Sequence, residues 1–245
     1  MVTYNKFTLP NGRAISYDLT TGDRTDSLVV VLSNSLCGQF RTWDHVVAVL
    51  SGKGYRVLRY DQPGHGASGV PNDLSSTTFA MADDVYALLQ HLSLKVVHAW
   101  VGVSMGASTA MRAVGSLDEL VEGTMQRWFG SDWIASNEDE ATRMRGIMLS
   151  GTSMDGFETC CTALSSATYD LRLHTVTAGK GCSEVLLLVG EKDANLPTTM
   201  QELRAGLERG NGKPVELKVV ANAGHVLFVD GFEEFSHLLL AFLQG

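Results

Sequence analysis

A serine hydroxyl becomes a useful nucleophile when a base within hydrogen-bond reach takes its proton and a carboxylate fixes the tautomer of that base. Three residues of this 245-residue chain have the types and settings for such work. Ser104 stands in Gly102-Val103-Ser104-Met105-Gly106, behind the apolar run Val96–Val101 and ahead of the helix-forming run Ala107–Arg112. Strand, tight turn and helix make a nucleophile elbow, where glycines at 102 and 106 carry no Cβ to clash as strand and helix pinch together. Asp193 follows the buried-type run Glu184–Val189, and His225 follows the run Val215–Val220. Serine, then acid, then histidine, each just past the carboxyl end of a strand, is an order in which the three can converge.

Acyl transfer also builds negative charge on a carbonyl oxygen, which aimed backbone amides stabilise by several kcal/mol. One such donor is expected from Met105, directly after the nucleophile, where a helix N-terminus favours an anion. The other is expected from the loop Ser33-Asn34-Ser35-Leu36-Cys37-Gly38. Leu36 is the candidate, with Ser35 or Cys37 as alternatives. Glu191 competes with Asp193 for the role of acid. His65 belongs to the turn Asp61-Gln62-Pro63-Gly64-His65-Gly66, where Asp61 and the glycines most simply shape the loop. His98 reads as part of a strand, His91 and His237 as helical, and His45 as early in a helix.

The elements that must position these groups are legible from hydrophobic periodicity. Tyr4–Leu9 and Arg13–Asp18 alternate around Pro10-Asn11-Gly12, a hairpin signal. Leu28–Ser33 is continuously apolar, as befits a strand covered on both faces. A helix at Trp43–Leu50 leads to a strand at Tyr55–Tyr60, and then to a helix at Thr77–Leu92 with Phe79, Val85, Leu88, Leu89 and Leu92 along one side. The alternation returns late, with strands at Glu184–Val189 and Val215–Val220 and helices at Thr198–Gly210 and Phe232–Leu243. Strand and helix in repeated succession mean an α/β fold, a mostly parallel doubly wound sheet. The length suits a single domain over 1–245. Residues 117–175 show helical character and no clear strand, and are assigned to a cap insertion over the site.

A net charge of −8 with no Lys/Arg cluster argues against a nucleic-acid surface. No stretch reaches the roughly 18 apolar residues of a membrane span, and residues 1–6 have no apolar leader core, so a cytoplasmic protein is expected. Cys37, Cys160, Cys161 and Cys182 lack the spacing of a metal site and the density of a disulfide scaffold, and read as free buried thiols. No H-E-x-x-H or H-x-H pair is present, so a metal enzyme is not expected, and the serine chemistry above needs no cofactor.

Together these residues resemble the α/β-hydrolase superfamily across nearly the whole chain. More narrowly, Leu32–Leu36 with Trp43-Asp44, and Val57–Asp61 with Gly64-His65-Gly66, are similar to the corresponding segments of 3-oxoadipate enol-lactonases. So are Arg127-Trp128-Phe129 and Gly156–Leu164. The resemblance implies hydrolysis of a carboxylate-bearing enol-lactone in aromatic breakdown. Cys37 and Ala107 depart from it, since each stands where that family usually has glycine. After the nucleophile helix the family also has a strand and part of the cap, whereas here Ala113–Asp118 passes at once into cap-like sequence. Loss of a sheet strand and a cap helix, or a shortened sequence, is therefore expected.

The small-molecule ester or lactone would be enclosed by Trp43, Trp128, Phe129 and Trp133, for which a core role is the alternative. A substrate carboxylate would pair with Arg41 or Arg127. Rival readings on the same triad are a general carboxylesterase, another lactonase or a cofactor-free perhydrolase. A rival of another class is a ligand-binding protein with residual activity. Oligomeric state is open.

Overall fold

The computed structural model describes residues 5–21, 27–103, 117–166 and 175–245. They fall into two compact units, residues 1–124 with 138–166, and 125–137 with 167–245.

The first unit is built on a five-stranded sheet. β1 (Asn5–Thr8) and β2 (Ala14–Leu19) form the expected hairpin, and β2 pairs antiparallel with β4 (Arg56–Tyr60). β3 (Val29–Ser33) lies between β4 and β5 (Ala99–Gly102), parallel to both, giving the order β1-β2-β4-β3-β5. Val30, Val31 and Leu32 on β3 are fully buried, which is why that run carries no polar alternation. β5 is shorter than its apolar run suggests. Val96 is 81% exposed, and His98 precedes the strand, giving its N–H to the Val29 carbonyl at 2.8 Å and stacking on Tyr55.

A 3-10 turn (Phe40–Trp43) runs into α1 (Asp44–Gly52). α2 (Thr78–His91) starts at a Thr77 cap whose hydroxyl accepts the Ala80 N–H at 3.1 Å. Its buried face is Met81, Val85 and Leu88, whereas Phe79 is 57% exposed. The helical period explains this correction: Met81 lies four residues before Val85 and shares its face, while Phe79, six residues before, is turned well away. Beyond β5 the described residues of this unit are helical: the first part of α3 (Leu117–Ser136), then α4 (Glu138–Gly151) and α5 (Met154–Leu164). Among the described residues no named strand lies between β5 and Leu186; an isolated bridge joins His65 and Thr152.

The second unit takes the rest of α3, which breaks at Gly130 (φ 76°). It continues with α6 (Thr175–Gly181), β6 (Leu186–Gly190), α7 (Leu196–Asn211), β7 (Glu216–Val220), α8 (Leu227–Asp230) and α9 (Phe232–Gln244). β6 and β7 pair in parallel, with Leu186 opposite Glu216 and Gly190 opposite Val220. Among the described residues no helix is long and apolar enough to cross a membrane.

Candidate active site

Because β6 and β7 run parallel and end level, at Gly190 and Val220, their following loops lie side by side. Backbone bonds fasten the two together: the Glu191 N–H reaches the Val220 carbonyl at 2.9 Å, and the Lys192 N–H reaches the Ala223 carbonyl at 2.8 Å. The Glu191 carboxylate accepts the N–H of Asn222 at 2.9 Å, so this acid works as a loop tie and not as a partner of His225. That partner is Asp193. Both of its carboxylate oxygens are 2.9 Å from Nδ1 of His225, and each side chain is only 12% exposed. A carboxylate facing Nδ1 places the ring proton there and leaves the lone pair on Nε2, the tautomer a general base needs.

The His225 backbone is fixed from two further sides. Its N–H reaches the Trp128 carbonyl at 3.0 Å, and the indole of Trp128 stacks on the imidazole with centroids 6.1 Å apart. Asp230, at the end of α8, accepts the Gly224 N–H at 2.5 Å. Burial raises the Asp230 carboxyl to about 6. Position 224 must be glycine, because a Cβ there would run into the Trp128 carbonyl.

Ser104 and Met105 lie outside the described residues, as do Gly106 and the helix-forming run behind them. The frame leading to them is described. Ser33 is opposite Gly102, so the loop after β3 leaves the sheet level with the end of β5, and the Val103 N–H reaches the Ser33 carbonyl at 3.3 Å. That loop is tied to the one after β4. Asn34 Nδ2 donates to the Tyr60 carbonyl at 2.8 Å, and the Phe40 N–H goes to Asp61 Oδ1 at 2.6 Å. The Cys37 N–H goes to Nε2 of His65 at 3.2 Å, which takes Cys37 out of the three amides considered for the oxyanion and leaves Leu36 and Ser35. Cys37 has φ 62°, the left-handed conformation that explains why the resemblance has glycine at this place.

Asp61 and His65, expected to shape their loop, are both almost wholly buried. Burial raises the Asp61 carboxyl to about 6, against the opposing pull of bonds from Ser16 and Phe40 and the charge of Arg59. Burial lowers the His65 imidazole to about 4, keeping the ring neutral at ordinary pH.

A family model described as alpha/beta hydrolase fold matches residues 29–125. A solved enol-lactonase from Burkholderia xenovorans superposes with a TM-score of 0.83 at 23% identity, over 98% of this chain and 100% of that one. The chain has the α/β-hydrolase fold. An esterase from Exiguobacterium antarcticum superposes with a TM-score of 0.78 at 16% identity, over the whole of both chains. In sequence, this α/β-hydrolase-fold chain resembles a 3-oxoadipate enol-lactonase of Acinetobacter baylyi, at 26% identity over 88% of each chain.

Within this fold the aromatic residues expected at the pocket are largely interior. Trp43 is 1% exposed and packs as a core residue of the first unit. In the second unit Trp128 and Phe129 are buried, with Phe129 stacked on Trp133 at 4.4 Å and edge-on to Trp128 at 6.2 Å. Arg41 is partly exposed and 3.8 Å from Asp44, while Arg127 is exposed. The four cysteines are free, but Cys182 is exposed where a buried thiol was expected, because it lies in the polar turn after α6. Asp230 and the Thr152 hydroxyl, which reaches the Cys37 carbonyl at 3.3 Å, had no signal in the sequence beyond being one acid and one threonine among many.

Proposed function

We propose that this protein is a serine hydrolase of small esters or lactones, with Ser104 as nucleophile, His225 as general base and Asp193 as the group that orients and charge-balances His225. The observation that carries the reading is the Asp193–His225 pair, on two loops after two parallel strands, with both carboxylate oxygens 2.9 Å from Nδ1. His225 takes the proton as Ser104 Oγ attacks the carbonyl. The tetrahedral oxyanion is held by the amides of Met105 and Leu36. Collapse expels the alcohol or enol, and water activated by His225 then releases the acid.

For the substrate we favour a carboxylate-bearing enol-lactone, turned over in the cytoplasm, with Arg41 or Arg127 as the carboxylate partner. The support is the resemblance to the Acinetobacter baylyi 3-oxoadipate enol-lactonase together with the Arg127-Trp128-Phe129 segment. An enolate leaves more readily than a simple alkoxide. A general carboxylesterase is the second reading, favoured by the fold likeness to the Exiguobacterium antarcticum esterase. Turnover of p-nitrophenyl acetate that disappears in Ser104→Ala tests the nucleophile. A panel of enol-lactone, saturated lactones and simple esters tests the substrate: kcat/KM on simple esters equal to or above that on the enol-lactone rejects the lactonase reading.

A further inference from the structure

Outside the acid–base pair, the peptide joining Leu36 to Cys37 is held from several sides at once. Its N–H is received by a histidine ring, its residue 37 sits at a positive φ that a cysteine adopts at a cost, and the next carbonyl is held by Thr152. The ring that receives it has no surface of its own. His65 Nδ1 is 3.0 Å from the Pro63 carbonyl, which can only accept, so the ring proton is assigned to Nδ1 and Nε2 carries the lone pair facing Cys37.

We infer that His65 is a positioning residue for the oxyanion loop, its Nε2 and the Thr152 hydroxyl together locking Cys37 so that the Leu36 amide keeps one direction. The inference rests on the reading above, in which the Leu36 amide serves the oxyanion. The peptide plane supplies the mechanism. The Cys37 N–H and the Leu36 carbonyl point opposite ways in one rigid plane, so holding the first aims the second away from His65. Without an acceptor the plane can turn over about the line joining the Leu36 and Cys37 Cα atoms, swinging the Leu36 carbonyl round and loosening the hold on the Leu36 Cα from which the preceding amide hangs. The scaffold around the ring resists such movement. The Gly66 N–H reaches the Gly151 carbonyl at 2.5 Å, and His65 bridges Thr152, so the end of α4 and the loop after β4 hold Cys37 between them.

His65→Ala removes the acceptor, His65→Gln offers a side-chain oxygen in its place, and Thr152→Val removes only the hydroxyl on the other face. On p-nitrophenyl acetate, His65→Ala is expected to lower kcat about 10- to 100-fold with KM changed less than about twofold, as for partial loss of one oxyanion donor. His65→Gln should recover part of the loss, and Thr152→Val should show a smaller fall of the same kind. A parallel loss of kcat and folded fraction, with no rescue by glutamine, overturns the inference. Amide spectra of ¹⁵N-labelled protein decide it independently of turnover. The wild type should give a single Leu36 and a single Cys37 amide signal, with a scalar coupling through the hydrogen bond from the Cys37 nitrogen to His65 Nε2. Thr152→Val or His65→Ala should double or broaden both signals. Sharp single signals in folded variants sink the positioning role even if the ester is never hydrolysed, and absence of ester turnover in the wild type sinks only the functional reading.

Discussion

Nδ1 of His225 stands 2.9 Å from each oxygen of the Asp193 carboxylate, so that one ring nitrogen is shared symmetrically between two acceptors in a nearly closed setting. Asparagine at 193 keeps the shape but presents an amide nitrogen that can face Nδ1 only if the ring proton moves to Nε2. Asp193→Asn is expected to lower kcat on p-nitrophenyl acetate by about 10³- to 10⁴-fold with an unchanged circular dichroism spectrum. A loss below tenfold would show that Asp193 is not the orienting acid.

The buried Asp61 and His65 oppose each other in the pH dependence of stability. Desolvation raises the Asp61 carboxyl from its ordinary 3.8 to about 6, so the folded protein holds this proton more tightly than the unfolded chain. Its contribution is full below pH 3.8 and is lost as pH rises through 6. Desolvation lowers the His65 imidazole from 6.5 to about 4, so its contribution is full above pH 6.5 and is lost as pH falls toward 4. Asp61→Asn removes the first slope and leaves the second. Relative to wild type, the variant should gain about 2 kcal/mol between pH 4 and pH 6, read from urea unfolding at several pH values. A difference independent of pH would refute the assignment.

Cys37 offers a test of backbone conformation in isolation. At ordinary positions alanine is more stabilising than glycine, but at φ 62° the order should reverse. Cys37→Gly is expected to be more stable than Cys37→Ala by about 1 kcal/mol, both having lost the same buried sulfur. Thermal unfolding of the two variants side by side measures this. Alanine coming out the more stable would mean that the loop can leave the left-handed region.

The Ser153 hydroxyl closes two bonds at once, accepting the Gly156 N–H at 3.0 Å as the cap of α5 and reaching the Gly64 carbonyl at 3.1 Å. Ser153→Ala should therefore cost about 1 to 2 kcal/mol, toward the upper end for a helix cap. The simpler Thr77→Ala cap variant of α2 should cost about 1 kcal/mol. Equal losses in denaturant unfolding would deny the second bond its role.

Much of the site is legible in the sequence. The Asp193 and His225 loops could be placed because each follows a β-branched or leucine-rich run, and such runs mark where a parallel strand ends. The loop after β3 was placed on the same grounds. What escaped were groups whose meaning depends on neighbours distant in sequence. Asp230 is one acid among many until Gly224 is seen to donate to it, and Thr152 is silent until Cys37 turns its carbonyl that way. Phe79 and Val96 misled for another reason: hydrophobicity marks a residue as able to be buried, while helical phase and strand length decide whether it is.

At one point in the first unit the main chain touches itself without any side chain between. A methyl added at Gly64 would fall on the Cα of Gly156, and one added at Gly156 would fall on the carbonyl of Gly64. Anyone substituting residues of α5 inherits that restriction. The distance of the helix from the turn beneath is set by two missing carbon atoms, and restoring either would lift the whole segment like a shim under a hinge.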